Sequence, residues 1–108
     1  MDFVAITSCP AGLAHTPMAA KALEKAASEL GLEAKVEQQG AMGLKNEITQ
    51  EEADSAKFLL IGSDQKIEKL DRFEKIPKLR VSIDTCIEKP KAVIKKAAKA
   101  VAQRQKSN

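Results

Sequence analysis

Apolar and polar positions change period several times along the chain, and each change marks an element. Phe3-Val4-Ala5-Ile6 is an unbroken apolar run closed by Thr7-Ser8, which predicts a strand over residues 3–8. Residues 17–30 switch to helical spacing, with Ala19, Leu23, Ala26 and Leu30 on one face and Lys21, Glu24, Lys25 and Glu29 on the other. Thr16 is the expected N-cap of that helix, Pro17 its first helical residue and Gly31 its stop. Ala34-Lys35-Val36-Glu37 alternates as an outer strand does, and Gly40 and Gly43 bracket a loop. After Ile48, Thr49 with Glu52 predicts a capping box on a short helical turn. Phe58-Leu59-Leu60-Ile61 is continuous enough to be a central strand buried on both faces. Lys66 to Phe73 reads as a polar connection with some helical character. Leu79-Arg80-Val81-Ser82-Ile83 alternates as a last strand, and an amphipathic basic helix follows from about Thr85 or Ile87, with Ile94, Ala97, Ala98 and Val101 inward.

Strands alternating with helices imply parallel pairing through right-handed crossovers. The expected fold class is α/β: a three-layer doubly wound domain over residues 1–108, with a four-stranded parallel sheet in the order 2-1-3-4 and helices on both faces. In such sheets ligands bind beyond the carboxyl ends of the strands, where the order reverses. That position belongs to the loop after the first strand.

Composition narrows this further. With 44% hydrophobic residues, no Trp, no Tyr and three Phe, the core must be built from Ile, Leu, Val and many Ala, which suits close helix-on-sheet packing. Two cysteines, Cys9 and Cys86, do not make a disulfide framework, so a reducing cytoplasm is the expected compartment. The apolar start lacks a basic flank and breaks at Ser8-Cys9-Pro10, so it is not a targeting segment, and no stretch approaches the roughly 18 apolar residues of a membrane span. The net charge of +3 hides an asymmetry: residues 89–108 carry seven basic side chains and no acid, leaving 11 basic against 15 acidic residues before them. No aromatic residues are interleaved with these charges, so the segment reads as a docked helix with a solvated cationic face rather than a nucleic-acid or lipid site.

The candidate chemistry lies in the loop after the first strand. Cys9 ends that strand and stands ahead of a helix, where unpaired main-chain amides and the positive end of the macrodipole favour a thiolate. The same donors suit the oxygens of a phosphoryl group on sulfur. Gly12 alone does not make a G-x-G-x-x-G fingerprint, no G-K-[ST] follows, and position 12 is not the second cysteine of a C-x-x-C pair. Cys9 and His15-Thr16 do have the C-x5-R-[ST] spacing of cysteine phosphatases, with His in place of Arg. Arg clamps phosphate bidentately and imidazole offers at most one donor, which favours a loop that holds a phosphoryl group and passes it on over one that hydrolyses it.

The run Cys9-Pro10-Ala11-Gly12-Leu13-Ala14-His15-Thr16, followed by Met18-Ala19-Ala20 and Ala22-Leu23-Glu24, closely resembles the fructose-type enzyme IIB family of the bacterial sugar phosphotransferase system. The likeness extends over nearly the whole chain through Val36-Glu37-Gln38-Gln39-Gly40, the Gly43 to Thr49 segment, the strand ending near Asp64, and Arg72-Phe73. It implies that Cys9 accepts a phosphoryl group from a phosphohistidine of enzyme IIA and passes it to a sugar bound by the membrane-embedded enzyme IIC, without a metal or cofactor. Residues Pro10, Ala11, Gly12, Leu13, Ala14, His15 and Thr16 are the phosphate-binding candidates. The chain departs from the family at Ala11, usually Thr or Ser, at Pro17, usually aromatic, at Gln38, usually Thr, and at Lys21, usually Glu. Ala11 removes one hydroxyl donor and leaves a main-chain cradle intact.

Other readings stay open at this point. His15 is either a donor to the thiolate or phosphoryl group or a structural residue at the helix start. Glu37 to Gly40 form either a wall of the site or a plain strand end, and Asp64 either lines the site or turns the chain. Arg72-Phe73 reads as packing, and Cys86 as an incidental small residue. The functional alternatives are a cysteine phosphatase or arsenate-reductase-like enzyme, and a docking module for enzyme IIA that carries no phosphoryl group. The expected protein is monomeric, with weak, transient contacts to its partners.

Overall fold

The computed structural model describes residues 1–8, 15–40, 43–63 and 66–106, the side chains of His15 and of residues 103–106 excepted. The strands are β1 (Phe3–Ser8), β2 (Ala34–Gly40), β3 (Gly43–Lys45), β4 (Leu59–Ser63) and β5 (Lys78–Val81). The helices are α1 (His15–Glu29), α2 (Gln50–Ser55), α3 (Ile83–Glu88) and α4 (Pro90–Lys106), with a 3-10 turn at Leu70–Phe73. One sheet runs in the order β3-β2-β1-β4-β5, parallel except for β3.

β1 is central because its apolar residues are consecutive. Phe3 and Ala5 pack into a core formed with α1, α3 and α4, while Val4 and Ile6 pack on the opposite face with Ala53 of α2 and Phe73 of the 3-10 turn. All four are fully buried, so each large side chain among them contributes about 1.5–3 kcal/mol of transfer free energy. Helices on both faces and the order of the four parallel strands agree with the α/β doubly wound expectation.

The sheet has a fifth strand beyond the four expected. The chain reverses between Gly40 and Gly43, which face each other across the hairpin, and Gly43 takes a φ of +104° that favours glycine. With Leu44 as its one apolar residue, β3 is too short to register as a periodic pattern. Asn46, also at positive φ, ends it and donates from Nδ2 to the Val36 carbonyl at 3.0 Å.

Three helix boundaries also differ from expectation. α1 already includes His15 and Thr16, so Thr16 is the second helical residue and not the N-cap, and Pro17 stands third. A proline is tolerated there because the first-turn amides have no intrahelical acceptor. The last strand stops at Val81: Ser82 accepts from the Thr85 N–H and caps α3, which moves Ile83 into a helix. The basic helix is then two helices, since Pro90 lacks an amide and starts α4 afresh after Lys89.

Other signals hold. Gly31 at φ +74° closes α1 in a Schellman motif, with Leu32 N–H bonded to the Ala27 carbonyl and Gly31 N–H to that of Ser28. The Thr49–Glu52 capping box is present at α2.

Candidate functional site

The four parallel strands end together, and the register places Ser8 of β1 opposite both Gln39 of β2 and Ser63 of β4. After β1 the chain passes to the α1 face, and after β4 to the face of the 3-10 turn. These opposite exits make the crevice between β1 and β4 the topological switch point. Cys9, Pro10, Ala11, Gly12, Leu13 and Ala14 follow Ser8 and lie outside the described residues, as does Asp64. His15 is described only as the first residue of α1.

Both shores of that segment are well defined. The Thr7 hydroxyl donates to the Thr16 carbonyl at 3.1 Å, and both residues are buried. The bond ties the end of β1 to the first turn of α1. The N-terminus of a 15-residue helix therefore stands beside the end of β1. No acidic residue in the first turn offsets the helix's positive end.

An ionic cluster stands at the carboxyl end of the next strand, β2. Glu37, fully buried in β2, receives both terminal nitrogens of Arg72, at 2.7 and 3.0 Å, a Gln39 amide N–H at 2.8 Å and the Ile48 N–H at 2.8 Å. Arg72 also donates to the carbonyls of Ile48 and Lys69 and lies 4.7 Å from the centre of the Phe73 ring. Burial is the largest influence on the Glu37 carboxyl and opposes ionisation. The hydrogen bonds from Arg72, Gln39 and Ile48, with the guanidinium charge, outweigh it and hold the group below the usual carboxylate range. Gln39 extends the cluster: its amide donates to the Glu68 carbonyl at 3.0 Å and accepts from the Glu68 N–H at 2.9 Å. The connection after β4 is thereby bound to the carboxyl end of β2, one strand away from Ser8.

Glu37 is therefore not the outward residue of an alternating strand. β2 is covered on both faces, and Glu37 is buried on the side opposite Val36. Phe73 is packing, as expected, but Arg72 is an ion-pair partner. The only signal in the chain was an acid at an otherwise buried strand end, and nothing local points from it to an arginine 35 residues away. Cys86 is fully buried in α3 with its thiol pushed up to about 11 by burial, and its Sγ lies 2.7 Å from where a Cβ on Gly62 would stand. It is a packing thiol that fills the space beside Gly62.

Residues 4–96 match the family described as the lactose/cellobiose-specific IIB subunit of the PTS system. The chain belongs to the sugar phosphotransferase system IIB family. Among its relatives, the PTS system fructose-like EIIB component 2 of Escherichia coli K12 is 42% identical over 100 residues, covering 93% of this chain and 94% of that one. The fructose-specific EIIABC component of Bacillus subtilis is 40% identical over 94 residues, which are 87% of this chain and 15% of that protein. The solution structure of the Escherichia coli K12 enzyme IIB subunit superposes with a TM-score of 0.86 at 36% identity, covering 96% of both chains. The IIB domain described here thus has a role in phosphotransferase-system sugar phosphotransfer, a transferase role in sugar transport, and its relatives include the fructose-like branch. Among the described residues, no helix is long and apolar enough to cross a membrane.

Proposed function

We propose that the chain is one phosphotransfer domain in which Cys9 carries the phosphoryl group. The Cys9 thiolate attacks the phosphorus of a phosphohistidine on enzyme IIA, forming an S–P bond as the P–N bond breaks. A hydroxyl oxygen of a sugar held by the membrane enzyme IIC then displaces the thiolate and loses its proton. The main-chain amides of residues 11–16 and the Thr16 hydroxyl hold the equatorial oxygens, and Pro10 and Gly12 shape the turn. The reaction proceeds in the cytoplasm, at the inner face of the membrane while enzyme IIC is engaged. Fructose or a fructose-like sugar is the cargo that the relatives' names support.

The observation that carries this reading is the Thr7–Thr16 bond at the end of β1, which sets the positive end of α1 beside the strand terminus that leads into Cys9. His15 in place of a phosphatase arginine favours transfer over hydrolysis. Incubation with phosphorylated enzyme IIA followed by intact-mass measurement tests the proposal. The wild type is expected to gain one phosphoryl group and Cys9→Ser none. Equal gain by both would overturn the assignment, and brisk release of free phosphate from an aryl phosphate would replace it with a hydrolase.

A further inference from the structure

Gln39 is paired with the end of β1 and bonded to the connection that follows β4. In the register of the parallel strands its main chain stands opposite Ser8, the residue before Cys9. Its side chain is buried and bonds both main-chain groups of Glu68, donating to the carbonyl at 3.0 Å and accepting from the N–H at 2.9 Å. Glu37 fixes which way that amide faces. A carboxylate only accepts, so the 2.8 Å bond to Glu37 Oε2 claims the Gln39 nitrogen and leaves its oxygen for the Glu68 N–H. Arg72 holds Glu37 with both terminal nitrogens and donates from Nε to the Lys69 carbonyl at 2.9 Å. Lys69 has a φ of +59°, a left-handed conformation that a residue other than glycine keeps where its surroundings hold it there. The bonds from Gln39 and Arg72 to this connection all end on main-chain atoms, so what they fix is the path of the chain.

We propose that Gln39 is a positioning residue for phosphoryl transfer at Cys9, a reading on which this inference rests. It holds the connection after β4 at one place relative to the end of β1, so the two sides of the switch-point crevice keep a constant spacing. A satisfied buried network fixes one geometry where a plain apolar contact tolerates several. Both N–H groups of the Gln39 amide are occupied, by Glu37 and by the Glu68 carbonyl, so neither remains to bind a phosphoryl oxygen. Its influence therefore falls on the transfer step through the chain it holds, and not on docking of the donor. Such spacing governs rate steeply, since a displacement of about 1 Å can cost on the order of a hundredfold.

Phosphoryl uptake from phosphorylated enzyme IIA, sampled by rapid quench and intact mass over a range of donor concentrations, separates the two steps. Gln39→Met removes the bonds to Glu37 and Glu68 with a side chain of similar length. Its rate at saturating donor is expected to fall about tenfold or more, with the half-saturating donor concentration unchanged. Gln39→Asn keeps a buried amide one carbon short of Glu68 and should behave alike, and in both variants the Glu68 amide should exchange hydrogen faster. Ile94→Val weakens the core on the opposite face of the sheet without touching this network, and its rate should match the wild type. Far-ultraviolet circular dichroism confirms that each variant is folded. The positioning role is overturned if a folded Gln39 variant transfers at the wild-type rate or exchanges Glu68 no faster. It is also overturned if only the half-saturating concentration changes, or if Ile94→Val is slowed as much. Wild-type protein that gains no phosphoryl group would overturn the Cys9 reading and the positioning role with it, so the wild type tells the two failures apart.

Discussion

Replacing Arg72 by Met removes the guanidinium from a carboxylate that is itself 0% exposed, while Arg72 is only 9% exposed. Breaking one side of a buried pair costs about 3–5 kcal/mol, because the remaining charge stays behind without its partner. Glu37 keeps the Gln39 amide and the Ile48 N–H, which puts the expected loss near the lower figure, about 3 kcal/mol at pH 7. Adding Glu37→Gln should recover roughly half of that, since the amide oxygen still accepts from Ile48 and no charge remains. The protein has no Trp or Tyr, so urea unfolding is best followed by far-ultraviolet circular dichroism, with an unchanged m-value confirming the same unfolded state.

The pH dependence supplies a second check. In the wild type the Glu37 carboxyl lies below its ordinary 4.5, so its stabilisation is present above that value and is lost as pH falls through the folded-state value. In Arg72→Met the main lowering influence is gone and burial prevails, which raises the carboxyl above 4.5. The variant then loses stability as pH rises past 4.5. The gap between the two proteins must therefore widen from about pH 3 to pH 7. A gap below about 1 kcal/mol at pH 7, or one independent of pH, would refute the electrostatic account of this cluster.

Gly62→Ala should cost about 1–3 kcal/mol, because its Cβ would sit 2.7 Å from the sulfur of the fully buried Cys86 and the thiol must shift. Gly62→Ala/Cys86→Ala should restore most of the loss in thermal unfolding, and a failure to restore it would place the strain elsewhere. In Cys9→Ser protein at pH 8, Cys86 should resist iodoacetamide while folded and take up one equivalent in urea, since burial pushes its thiol up to about 11. Rapid labelling of the folded protein, read by intact mass, would contradict the packing assignment.

Signals confined to a few neighbouring residues were legible in the chain. The unbroken run of β1, the Thr49–Glu52 box and the glycine after α1 each specify their local geometry whatever surrounds them. β3 was hidden because three residues carry no period, and the α3–α4 break because Pro90 was subsumed in a longer amphipathic pattern. Glu37 misled because alternation sorts residues by the face they point to, and it assumes that one of those faces meets water. β2 has no such face there, and the compensating cation sits in a different segment. Motif and spacing single out the residues around Cys9 as the chemical candidates, while the ionic cluster at the carboxyl end of β2 is made of long-range partners that no local pattern announces.

The Glu37–Arg72 tie joins β2, which precedes β4, to the turn that follows it, so in sequence it spans both sides of β4. During synthesis the carboxylate leaves the ribosome well before its cation. A nascent chain ending ahead of Leu70 holds an uncompensated charge in what must become an apolar layer, and that layer cannot close. The tie therefore acts as a checkpoint, letting the layer around Glu37 consolidate only once β1, β2 and β4, three of the four parallel strands, have been made.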